Sequence, residues 1–85
     1  MPTLSLFYGI IISMNYRDHN PPHIHAEYQG KKALIGLDGE VMEGALPKTK
    51  LRMVQVWVDI HREDLEANWE LAQKKAQLFK IDPLR

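Results

Sequence analysis

The 85-residue chain carries eleven basic and eleven acidic side chains, is 45% hydrophobic, and contains no cysteine. Disulfides and thiolate metal sites are thereby excluded, and any metal must be held by His, Asp or Glu. The neutral balance argues against a dedicated nucleic-acid binder, which carries a basic excess, and the length allows a single domain, residues 1–85, with a modest core.

The first element is read from Leu4 to Tyr16. Its even positions are all apolar or aromatic (Leu4, Leu6, Tyr8, Ile10, Ile12, Met14, Tyr16) and its odd positions are mixed. Such alternation predicts one long strand with a buried face, and Gly9 is read as a bulge or close approach within it. The apolar run lacks a basic leader and is too short to span a bilayer. A cytoplasmic location with no membrane contact is the expectation.

Arg17 to Pro22 reads as a turn stiffened by Pro21 and Pro22. A second strand follows, with Ile24, Ala26 and Tyr28 on one face and His23, His25 and Glu27 on the other. Gln29-Gly30 turns the chain into a third strand with Ala33, Ile35 and Leu37. Asp38-Gly39 signals a two-residue hairpin into a fourth strand, Glu40 to Leu46.

After Pro47 the apolar residues take three- and four-residue spacing: Leu51, Val54, Val58, His61, Leu65, Asn68 or Trp69, Ala72 and Ala76. That stripe predicts a helical region over about 48–78. Residues 53–60 also alternate and suit a fifth strand, but the stripe stays in phase through them. The expected fold is α+β: an antiparallel meander of about four strands, within residues 4–46, with one or two C-terminal helices packed on one face. Trp57 and Trp69 read as core anchors, and Asn68 as a buried side chain satisfying a backbone group.

Three of the four histidines fall within residues 19–25 around the double proline. Three chemistries suit them. His23 and His25 could hold a divalent transition metal, with Glu27 or His19 as third ligand. His19, His23 and His25 could instead supply a general acid and base for RNA cleavage, with Arg17 steadying the phosphate. They could also form a contact patch without chemistry. The plain alternative is a set of turn and strand-surface histidines. His61 lies on the helical stripe and reads as a boundary histidine, with a weaker claim on the site.

The segments "FYGIIISM" and "DHNPPHIHAEY", with Trp57, His61, Leu65, Asn68-Trp69 and "IDPL" at 81–84, resemble the bacterial family called domain of unknown function 4160. The resemblance implies that Asp18, His19, Pro21, Pro22, His23 and His25 belong to a signature segment, without assigning them roles. It also implies a small protein partner encoded nearby and a component of toxin–antitoxin type. The histidine cluster would then be an active site directed at RNA or controlled by the partner. A metal-binding protein and a non-enzymatic interaction module stand as alternatives. Catalytic turnover and homo-oligomerisation are left open.

Overall fold

A computed structural model describes all 85 residues. Five strands run in chain order, β1 (Thr3–Phe7), β2 (Ile10–Ser13), β3 (His23–Tyr28), β4 (Lys31–Gly36) and β5 (Val41–Gly44), followed by α1 (Lys48–Ile60) and α2 (Arg62–Gln73). The strands form one antiparallel sheet in the order β1-β2-β3-β4-β5. The α+β meander is as expected, with five strands where about four were predicted.

The extra strand arises at Tyr8-Gly9. Both residues take positive φ, 50° and 81°, the geometry of a tight two-residue hairpin turn. What reads as one strand is therefore two, β1 and β2. The pairing is Phe7 with Ile10 and Ser5 with Ile12, and residues directly opposite share a face. An odd residue on β1 thus faces the same way as an even residue on β2. This is why Phe7 is buried while Leu6 and Tyr8, assigned to the inner face by uninterrupted alternation, are 61% and 55% exposed.

The next two turns differ in kind. Gln29 and Gly30 also take positive φ and join β3 to β4 as a tight hairpin. Asp38-Gly39 instead sits in a longer loop: β4 ends at Gly36, β5 begins at Val41, and the Gly36 amide donates to the Glu40 carbonyl at 2.8 Å. Strand β5 stops at Gly44 and does not reach Leu46. Gly44 has φ 77°, and a Cβ placed there would lie 2.2 Å from the Lys32 carbonyl oxygen. A Gly44→Ala variant is expected to lose at least the roughly 1–3 kcal/mol that a strained backbone conformation costs, measured as a lower urea midpoint with unchanged m-value.

Residues 53–60 are helical. The stripe from Leu51 to Ala72 is carried by two helices meeting at His61, whose φ of −107° and ψ of 24° leave helical geometry. Helix α2 ends at Gln73 and Lys75 takes φ 57°, so Ala76 and the rest of 74–78, which the spacing assigned to the helical region, lie outside it. Val56 and Ile60, which a strand would align with Val54 and Val58, are exposed while those two are buried. The core joins Ile10, Ile12, Ile24, Ala26 and Ile35 from the sheet to Val54, Trp57, Val58, Leu65 and Ala72 from the helices.

The C-terminal tail closes one end of this core. Asn68 is fully buried and clamps Phe79, accepting its amide at 2.9 Å and donating to its carbonyl at 2.9 Å. The indole N–H of Trp57 donates to the Asp82 carbonyl at 2.8 Å, and the Ile81 amide donates to the Leu4 carbonyl at 2.9 Å. No helix is long and apolar enough to cross a membrane.

Candidate functional site: an aspartate and two histidines

The site is built where the loop 14–22 meets the start of β3. Strand β3 holds Ile24 and Ala26 in the core, so alternation turns His23 and His25 together to the other face. Their rings lie 5.4 Å apart. The loop is fixed at several points. The Arg17 amide donates to the Ala72 carbonyl at 3.2 Å, and the Leu37 amide donates to the Pro22 carbonyl at 3.3 Å. The Gln73 amide group donates to the Asp18 carbonyl at 3.4 Å. The Asn20-Pro21 peptide bond is cis.

Arg17 takes φ 52°, a left-handed conformation that costs a residue with a Cβ roughly 1–2 kcal/mol. That reversal carries Asp18 back over β3. Its Oδ2 lies 2.9 Å from His23 Nε2 and 3.2 Å from His25 Nε2. The three potential ligand atoms of Asp18, His23 and His25 all lie within 4.8 Å of one another. Asn15 stands beside them, its Nδ2 3.3 Å from His25 Nε2 and 3.5 Å from Asp18 Oδ2.

The surroundings orient each member. The His23 side chain is wholly buried, with the Trp69 ring 5.4 Å away. Its Nδ1 lies 2.8 Å from the Pro21 carbonyl. A carbonyl only accepts, so Nδ1 carries the proton and Nε2 is turned to Asp18. The second carboxylate oxygen, Oδ1, accepts the His19 backbone amide at 2.8 Å. Burial opposes ionisation of Asp18, but that amide together with His25 and His23 outweighs it and lowers its pKa from 3.8 to about 2.

The sign of the resulting pH dependence follows from that direction. A carboxyl held below its unfolded pKa contributes stability above about 3.8, and the contribution is lost as pH falls toward 2. The chain is expected to lose stability over that interval, and Asp18→Asn to flatten the loss. Urea midpoints at a series of pH values would check it; parallel curves for the two proteins would refute it.

The other sequence-predicted residues lie apart from this centre. His19 is beside it but 70% exposed, with Nε2 3.7 Å from Asp18 Oδ1. Glu27 is not among the converging atoms. It stands two residues beyond His25, roughly 6.6 Å further along the strand, and pairs with Ile11 and Lys32 across the sheet. The third group that converges with His23 and His25 is Asp18. The Arg17 side chain makes no hydrogen bond or ion pair, and the residue contributes its backbone reversal. His61 does not reach the cluster: its ring packs tilted against Trp57, with centroids 5.4 Å apart, and its Nδ1 lies 3.9 Å from Asp64, at the junction of the helices.

Neither the curated proteins nor the solved structures include a match to this chain. A family model does match, over residues 9–70, which takes in the histidine–proline segment and nearly all of both helices but leaves the Ile81–Leu84 tail outside. With well over half of its length matched, the chain belongs to the family described as Domain of unknown function (DUF4160).

Proposed function

We propose that the protein binds a divalent transition metal through Asp18, His23 and His25. The observation that carries the reading is the convergence of one carboxylate oxygen and two imidazole Nε2 atoms within 4.8 Å. Two neutral imidazoles and a carboxylate suit zinc, manganese, iron or nickel, and a three-residue set leaves positions for water or substrate. The support around the ligands is of the kind metal sites use. His23 donates Nδ1–H to a backbone carbonyl, which orients the ring and leaves Nε2, facing Asp18, as the nitrogen that would bind the metal on giving up any proton it shares with that carboxylate. Asp18 is ionised throughout the physiological range, and a cation between the three groups would relieve the burial of its charge. A metal there supplies Lewis-acid polarisation of whatever occupies the open positions. The test is elemental analysis of untagged protein, purified directly and after incubation with zinc, manganese or nickel followed by desalting. About one equivalent supports the reading; no bound metal under any condition overturns it.

A second reading is favoured by one feature of His25. Its Nε2 faces Asp18 while its Nδ1 makes no hydrogen bond, the arrangement that orients an imidazole as general base. With exposed His19 nearby, this fits metal-free acid–base cleavage of RNA in a partner-controlled, toxin-type protein. Cleavage of a short RNA by chelator-treated protein, lost in His25→Ala, would establish it. Inactivity of the treated protein would remove it.

A further inference from the structure

The two edges of the sheet are treated differently by the rest of the chain. On β1 the Leu4 carbonyl accepts the Ile81 amide, so the C-terminal tail covers part of that edge. On β5 residues 41–44 are all exposed, and no backbone group from outside the sheet bonds to them. An open edge is a template for another strand, and proteins commonly block one with lysine or proline. Strand β5, Val-Met-Glu-Gly, has neither.

The ground around this edge is acidic. From Asp38 to Glu43 there are three carboxylates and no cation. A cleft of about 640 Å3 opens between the β4–β5 loop and α2, with Leu37, Met42 and Trp69 as its apolar walls. Its charged side chains are Asp38, Glu40, Glu66 and Glu70 against the single cation Arg62, which already lies 4.0 Å from Glu66. A second hollow on the same loop adds Asp59.

The geometry points to β5 as the docking edge for an extended, basic segment of a partner polypeptide, added as a sixth strand with an arginine or lysine side chain in the Trp69 cleft. Main-chain bonding along the edge supplies attachment, and the pocket for an alternate side chain supplies selectivity. The register shift opposite Leu34 and Ile35 limits regular pairing to a few rungs, so the cationic side chain carries much of the recognition. A second copy of this chain is a poor occupant of the edge, because β5 against β5 would bring together two Asp38–Glu43 segments, each with three carboxylates and no cation, and like charges brought close across strands are destabilising.

The test uses the full-length chain, isotope-labelled, in the presence of a chelator, so that its result is independent of metal binding. It is titrated with a capped hexapeptide alternating valine with arginine and lysine, and with the same peptide carrying glutamate at the charged positions. The expected result is amide shifts concentrated on residues 38–44 and at the Trp69 indole, with the basic peptide binding at least tenfold tighter. A folded Glu40→Lys/Glu43→Lys variant is expected to lose or reverse that preference. No binding at millimolar peptide, shifts centred elsewhere, equal affinity for the two peptides, or an edge already occupied by a second copy would each overturn the proposal.

Discussion

Alanine at His25, or asparagine at Asp18, is expected to lower metal affinity by about 100-fold or more. Removing an outer-shell partner alone costs roughly 10–100-fold, and each of these changes removes or neutralises one of the three groups proposed to bind the metal directly. The two variants are chosen because they leave the core intact. His25 and Asp18 are partly exposed, with side chains 24% and 15% accessible, whereas His23 is wholly buried beside Trp69. Alanine at His23 would open a cavity and confuse unfolding with ligand loss. Asp18→Asn also keeps an oxygen for the His19 amide, so the loop retains that bond. The readout is metal per chain, followed by competition against a chromophoric chelator. Parent-like affinity in both variants would show that these atoms converge without binding a metal.

Much of this centre follows from local rules, and its third member does not. The pairing of His23 with His25 on one face is dictated by strand alternation, because Ile24 and Ala26 between and after them have only the core to enter. The same rule selects Glu27, and there it fails through distance: each further pair of residues adds roughly 6.6 Å. Asp18 is reached by a chain reversal, and no periodicity encodes a loop. The available signal was the Asp18-His19 dipeptide just before the double proline, since aspartate in a turn readily bonds a neighbouring amide. Its carboxylate does accept the His19 amide, yet only the left-handed Arg17 and its anchor on Ala72 direct the other oxygen to the histidines. The same limit explains the misplaced strand. Gly9 was visible as a break, but choosing a hairpin over a bulge required knowing that Phe7 and Ile10 pair. The helices were more legible because a stripe at three- and four-residue spacing survives the change of direction at His61.

Trp57→Ala is expected to cost about 3–5 kcal/mol, the range for deleting a large aromatic side chain from a core. The ring is wholly buried, 5.5 Å from Phe7 on β1 and 5.4 Å from His61 at the helix junction. It therefore holds the first strand to both helices. Its indole N–H also bonds the Asp82 carbonyl at 2.8 Å, so truncation removes one of three anchors of the tail and leaves those at Asn68 and Leu4. At roughly 0.05–0.15 kcal/mol per residue, a chain of 85 residues has about 4–13 kcal/mol in all, so the variant would remove from about a quarter of its stability to essentially all of it. A shift of roughly 4–8 °C per kcal/mol for domains of this size puts the melting temperature many degrees lower, or leaves no cooperative transition. Trp57→Phe separates the two contributions. It keeps most of the packing and loses the N–H bond, with an expected cost of about 1–2 kcal/mol, near that of one hydrogen bond and a small packing defect. If Trp57→Ala melted within a few degrees of the parent, the sheet and helices would be held together elsewhere, and the tail contact would be incidental. If instead Trp57→Phe were as damaging as Trp57→Ala, the tail anchor rather than the ring would be the main contribution.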